Sequence, residues 1–368
     1  AYDYEKKALW TQEFGDSKQV VEEATYTNMR AIFEHCGNQD LGFDVDAMID
    51  SSVGEALMEL MYPFIQYPDP MGEDILNYWK NYEGGIIKEV HNSEAGWENE
   101  WASYVPASAY DEANRDKLYP MVFLNHGGHD KKYTVECFGF VQHAAKTQEY
   151  IVVAPQDFTP EAIGVMLNYM EAHYPVDMSR VYMTGDSAGG NASLNNAAAY
   201  PTVFAGIAPF GIGGFIRGTE EQKIIMGKYK MPIMYLYGDM DCYASFPVRE
   251  TERASVEDYC SQINQWYAIN KIEQEPLTVE KAAELAASAE AFVEKVTGIA
   301  FTNTYTKEYP DISYYFGENY DADGVPMYTI VIAEGGTHWQ SASYAEITWD
   351  YFSNFSRDLE TGQLVVAK

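Results

Sequence analysis

The sequence predicts an α/β protein whose mostly parallel central sheet is covered by helices on both faces. Three observations carry that expectation. Continuous apolar runs recur at Tyr119–Asn125, Tyr150–Pro155, Phe204–Phe210, Met231–Tyr237 and Tyr328–Ala333, each the length of a strand buried on both faces. Between them lie segments with apolar residues at helical spacing, the alternation of a doubly covered sheet. Several runs end in glycine-rich loops carrying polar side chains: His126-Gly127-Gly128-His129, Gly185-Asp186-Ser187-Ala188-Gly189, Gly238-Asp239-Met240-Asp241 and Gly335-Gly336-Thr337-His338-Trp339. In an open parallel sheet such loops converge outside the strand C-termini, where ligands bind.

At 368 residues the chain is long enough for one large domain with additions. Its 24 Lys and Arg against 56 Asp and Glu give a formal net charge of −32. Such a surface repels nucleic-acid phosphates and anionic lipid headgroups, so neither is an expected partner. No apolar stretch reaches the roughly 18 residues of a membrane-spanning helix. The cysteines, Cys36, Cys137, Cys242 and Cys260, show neither a CxxC pair nor zinc-ligand spacing, and leave several pairings and free thiols open.

Taken in order, residues 1–80 read as a mainly helical extension. Ser52 and Glu55 form a capping box, Val53, Ala56, Leu57, Leu60, Met61 and Phe64 share one helical face, and Pro63 closes the segment. Residues 81–368 read as the main domain. Ile86–Val90 and Glu100–Val105 suit an antiparallel pair, and Val135, Phe138, Val141 and Ala145 an amphipathic helix. Thr159-Pro160 caps a helix that turns Ile163, Met166, Leu167 and Met170 inward. Val181–Met183 leads through Gly-x-Ser-x-Gly into small residues, 191–199, that can be a helix. The stretch from about 250 to 325 exceeds a simple crossover and reads as an insertion, with helical patterns over 256–270 and 279–296. A last helix carries Tyr344, Ile347, Tyr351 and Phe355 inward.

A strand entering Gly-x-Ser-x-Gly and leaving as a helix is the recipe for a nucleophile elbow, with Ser187 exposed on a strained turn. Side chains at Gly185 and Gly189 would collide with neighbouring backbone there. Serine needs a base and the base an orienting acid. Of the seven histidines, His338 alone follows a late strand through a glycine loop; His35, His91, His143 and His173 read as surface or helix residues. Asp241 stands far enough past its strand to reach back to a histidine, whereas Asp239 comes early in the turn and suits a supporting role. The backbone N–H of Ala188, with one from Gly127 or Gly128, suits an oxyanion hole. His126 belongs to that loop, and His129 is placed to reach a substrate. Asp186 ties down the elbow, and Trp339 forms either a substrate wall or packing.

With these residues in place, the chain resembles the feruloyl and acetyl-xylan esterases of carbohydrate esterase family 1 and their polyhydroxybutyrate-depolymerase relatives. The resemblance runs from Tyr104 to Phe355 through Tyr104-Val-Pro106, the His126-Gly-Gly loop, Gly139-Phe140, Val152-Val-Ala-Pro155, Val176-Asp177 and Arg180-Val-Tyr182. It continues through Gly185-Asp-Ser-Ala-Gly-Gly190, Tyr200-Pro201, Phe204-Ala205 and the helix at Trp349–Phe352. It implies an α/β-hydrolase fold with an eight-stranded sheet, a Ser187–Asp241–His338 triad, no cofactor, a polysaccharide-linked or small ester as substrate, and secretion. Residues 1–80 and the stretch after Asp241 have no counterpart in that pattern, and Thr337-His338-Trp339-Gln340 stands where the family often has Gly-His-x-Trp. A polyester depolymerase, a peptidase, or a non-catalytic binder on a hydrolase scaffold are the alternative readings.

Overall fold

Strands apolar on both faces are stable only between two covering layers. The computed structural model, which describes residues 85–367 except 93–99, 129–131, 133–134, 136–137, 213–217, 240, 242, 244–245, 248–254, 310–311, 337 and 339–342, has that arrangement. The strands are β1 (Ile86–Asn92), β2 (Glu100–Pro106), β3 (Tyr119–Asn125), β4 (Ile151–Pro155), β5 (Val176–Asp186), β6 (Phe204–Phe210), β7 (Ile233–Gly238), β8 (Asn303–Tyr309), β9 (Ile312–Tyr320) and β10 (Pro326–Ala333). They form one sheet in the order β1-β2-β4-β3-β5-β6-β7-β10-β9-β8. The six from β4 to β10 are mutually parallel. The flanking pairs are antiparallel.

The helices are α1 (Phe140–Thr147), α2 (Pro160–His173), α3 (Ala188–Ala199), α4 (Glu220–Tyr229), α5 (Val256–Asn270), α6 (Val279–Ser288), α7 (Phe292–Thr297) and α8 (Ser343–Phe352). Strand side chains alternate between two cores. Val122 and Leu124 join residues of α1 and α8 on one face, while Met121 and Phe123 join residues of α2, α3 and α5 on the other. The expected inward face of α2, with Ile163, Met166, Leu167 and Met170, is buried as read, and the Thr159 hydroxyl accepts from the Ala162 N–H.

Several expectations are corrected. The sheet has ten strands rather than eight, because the insertion contributes β8 and β9 beyond β10. Strand β8 is largely exposed and polar, so it carries no apolar signal. Helix α1 begins only at Phe140; Val135 and Phe138 are buried ahead of it, before Gly139 turns the chain. The pattern over 279–296 is two helices, since Ala289 and Ala291 are extended. Helix α4 was not expected: Met226 is its one buried residue, so it has almost no apolar stripe, although Thr219 and Gln222 form a capping box. Phe355 lies past α8, in a short hairpin of β11 (Phe355–Arg357) with β12 (Leu364–Val366). The 1–80 extension, with its Ser52–Glu55 box, falls outside the described residues, as do Cys36, Cys137 and Cys242. Cys260 is a buried free thiol, pushed up to about 11 by burial.

The C-terminal hairpin is tied to the middle of the chain by Arg357, which is 2% exposed. Its Nε donates to the Phe204 carbonyl at 2.9 Å, Nη1 to Tyr229 at 2.7 Å and Gly362 at 3.3 Å, and Nη2 to Lys230 at 2.7 Å. Two of these carbonyls close the C-terminus of α4, where a cation is favoured. Burial pushes the guanidinium down to about 10, so it stays charged at neutral pH. Arg357→Met leaves these carbonyls without a donor and is expected to cost about 2–4 kcal/mol of stability, read from the urea midpoint.

Candidate active site

Strand β5 ends at Asp186 and α3 begins at Ala188, which leaves Ser187 alone at the turn with φ 50° and ψ −107°. A non-glycine residue pays of order 1–3 kcal/mol for such a conformation, so the surroundings must enforce it. They do so through hydrogen bonds: the Ser187 N–H donates to the Phe210 carbonyl at 3.1 Å, and its carbonyl accepts from Asn191 at 3.0 Å. The flanking glycines are required by close approach. A Cβ at Gly189 would lie 2.5 Å from the Asn125 carbonyl oxygen and 2.6 Å from that of His126, and one at Gly185 would lie 2.7 Å from Asn125. Asn125, fully buried, donates through Nδ2 to the Gly189 carbonyl at 3.3 Å. The positive end of α3 points at the serine.

The loop after β3 lies against this turn. A Cβ on Gly128 would sit 3.7 Å from that of Ala188, so the two residues expected to supply oxyanion donors are neighbours. His126 is buried and holds the loop's shape. Its Nδ1 is 2.7 Å from the Gly127 carbonyl oxygen, and its Nε2 is 3.2 Å from both the backbone oxygen and the side-chain nitrogen of Gln156. With Nδ1–H donating to that carbonyl, the trans peptide directs the Gly128 N–H to the opposite side. Gln156 also accepts from the Lys132 N–H at 3.0 Å, and the fully buried Lys132 ammonium pairs with Glu100. Sequence reading missed Gln156 and Lys132, whose roles rest on contacts between separate loops.

Beyond β7 and β10, Asp241 and His338 meet. Nδ1 of His338 is 2.9 Å from each carboxylate oxygen of the fully buried Asp241. Asp241 accepts from the Tyr243 N–H at 2.8 Å and donates its own N–H to Gly238 at 3.1 Å. Asp239 instead gives its N–H to the Ala333 carbonyl at 3.1 Å, tying its loop to β10. Burial raises the Tyr344 hydroxyl well above its usual range, and the charges of Asp241, Asp239 and Asp186 add to the shift. Among the described residues no group of three or more His, Cys, Asp or Glu is arranged to hold a metal ion. His129 and Trp339 lie outside the described residues.

Gly211 joins the two halves. Its φ is 61°, and a Cβ there would stand 2.8 Å from His338 Nδ1 and 3.0 Å from Asp241 Oδ2. The preceding residue, Phe210, is the one whose carbonyl holds the Ser187 N–H. Consecutive backbone units therefore touch the serine and the Asp–His pair. The next residue, Ile212, is fixed by the buried Tyr237 hydroxyl, which donates to its carbonyl at 2.7 Å. Nothing in the sequence singles out Gly211 except its place at the end of an apolar run.

A strained serine between strand and helix, a glycine loop beside it and an Asp–His pair, all on the C-terminal edge of a parallel sheet, form the constellation of α/β-hydrolases. No family model matches the chain. It is similar to poly(3-hydroxyalkanoate) depolymerase C of Paucimonas lemoignei, 33% identical over 123 residues, which cover 27% of this chain and 30% of that protein. The chain therefore spans under a third of that relative's length. Among solved structures it is similar to an acetyl xylan esterase from Aspergillus awamori, at 14% identity over 72% of this chain and 98% of that one, with a TM-score of 0.47. The feruloyl esterase module from Clostridium thermocellum complexed with sinapinate aligns at 15% identity over 73% of this chain and 86% of that one, with a TM-score of 0.41. These are the esterase groups that the motifs of the sequence resemble.

Gly211→Ala pushes a methyl group into the Asp–His pair. It is expected to slow labelling of Ser187 by a serine-directed phosphonate about 100-fold, measured by mass spectrometry, with an unchanged near-ultraviolet spectrum.

Proposed function

We propose that the protein is a serine esterase that hydrolyses carboxylic esters through an acyl-enzyme, with feruloyl or acetyl esters of plant polysaccharide as its substrates. The observation that carries this reading is the junction at Phe210-Gly211, where the backbone that holds Ser187 also abuts the Asp241–His338 pair. His338 takes the Ser187 proton as Oγ attacks the ester carbonyl, and returns it to the departing alcohol. Asp241 fixes the imidazole with Nε2 toward the serine and stabilises the imidazolium. The N–H groups of Ala188 and of Gly127 or Gly128 receive the oxyanion. Water then enters by the same route and releases the acid. Asp186 ties the elbow. The similar esterases support the acyl classes, and a polymeric substrate of this kind places the enzyme outside the cell.

A polyester depolymerase is the second reading, favoured by the 33% identity to the depolymerase of Paucimonas lemoignei. A panel of p-nitrophenyl acetate, p-nitrophenyl butyrate, methyl ferulate and a polyhydroxybutyrate film separates the two. Acetate or ferulate turnover that falls at least about 10⁴-fold in Ser187→Ala is the expected result. Erosion of the film with silence on the soluble esters selects the depolymerase. A folded wild type that is inactive on all four and resists phosphonate labelling overturns both.

The loop makes its own prediction. His126→Phe, by freeing the Gly127 carbonyl, is expected to lower kcat about 10-fold or more with little change in KM, since an oxyanion donor acts in the transition state.

A further inference from the structure

His338 is enclosed on more sides than an orienting acid requires. Asp241 holds Nδ1, Gly211 backs the edge between Nδ1 and Cε1, and the Tyr243 ring stands against the imidazole with centroids 4.4 Å apart and planes at 69°. Phe210 is more distant, with centroids at 6.3 Å. The His338 side chain is only 11% exposed, so water does little to solvate a charge on it. A cation over the face of an aromatic ring, within about 6 Å of its centroid and in such a dry setting, is attracted to that ring. Tyr243 is also anchored to the acid, because its N–H donates to Asp241 Oδ1 at 2.8 Å. One residue thus braces the carboxylate through its backbone and meets the imidazole through its ring.

We propose that Tyr243 is a positioning residue whose ring holds the His338 imidazole in register and stabilises its protonated form during acyl transfer. The inference rests on the esterase reading of Ser187, Asp241 and His338. In the acylation step the Oγ–H bond breaks and the proton goes to Nε2 as the Oγ–carbon bond forms. The same proton passes to the alcohol oxygen as the ester C–O bond breaks. The imidazolium exists only between these events, so a ring that favours it acts on the transition states and not on the bound ester.

The other charged and titratable groups at this edge are Asp241 and Asp239 after β7, Asp186 beside the serine, and the buried Tyr344 on α8 with Tyr314 near it. The carboxylates also favour a charged imidazole, and all stay in place when Tyr243 is replaced. The sign of the effect follows. A ring that stabilises the imidazolium raises the pKa of His338, so removing it lets the neutral base persist to lower pH.

The test is the pH profile of kcat/KM on p-nitrophenyl acetate for wild type, Tyr243→Phe and Tyr243→Leu, with the rate of phosphonate labelling beside it. Tyr243→Leu is expected to move the acidic limb down by about 0.5 pH unit and to lower the plateau about 10-fold. Tyr243→Phe, which keeps the ring, is expected to hold the limb at the wild-type position. If the leucine variant does not fold, Tyr243→Met supplies similar bulk without a ring. A lowered plateau with an unmoved limb marks simple packing and overturns the proposal, as does an equal shift in Phe and Leu, which would assign the effect to the hydroxyl. An active wild type with either outcome leaves the esterase reading standing. A wild type that neither turns over esters nor labels at Ser187 overturns that reading and this inference together.

Discussion

The hydrogen bond from the Ser187 N–H to the Phe210 carbonyl is the contact on which the site depends. It closes a parallel register that already sets Asp186 beside Phe210, Phe210 beside Leu236 and Gly238 beside Ala333. Four strands therefore stop at nearly one level, and the loops that follow them have no route except across the same edge. A turn as costly as that at Ser187 persists because sheet pairing on both sides of β5 fixes the residues before it and α3 fixes those after it. Gly189 stands where backbone meets backbone at this edge, and Gly211 where backbone meets the Asp–His pair. Rigidity of the strands becomes precision of the loops.

The parts of this architecture legible in the sequence are those whose signal is local. β3 and β6 match their apolar runs residue for residue because every one of their side chains is buried. The loops bearing His126, Ser187, Asp241 and His338 were legible because each follows such a run. What could not be read depends on neighbours distant in sequence. Gly211 must be glycine because an imidazole and a carboxylate from two other loops occupy the space of its side chain. Tyr243 looks like any loop tyrosine until β7 and β10 lie side by side. β8 is a largely exposed edge strand whose one strand partner is β9, so its composition resembles a loop. The helix boundaries that went wrong, at α1 and between α6 and α7, fall where small or apolar residues fit helix and turn equally well.

Charge is concentrated unevenly in a chain already very acidic. Asp241 lies against His338, and the charges of Asp241, Asp239 and Asp186 add to what burial does to the Tyr344 hydroxyl. Like charges this close are costly unless something shares them. A backbone donor does so for Asp241, whose Oδ1 accepts from the Tyr243 N–H.

Arg357 carries a consequence for how the protein is made. The carbonyls it satisfies lie at Phe204, at the end of α4 and at Gly362, so a cation near one end of the described chain completes structure in its middle. β10, which seats between β7 and β9, and the loop bearing His338 also come late in sequence. A ribosome releasing this chain would therefore present β3 to β7 with one sheet edge unpaired and α4 uncapped for the whole time that residues 239–325 are being added. Such an intermediate exposes apolar strand edges to its neighbours. Until β10 and Arg357 have emerged, stalling of a nascent chain of this design favours aggregation.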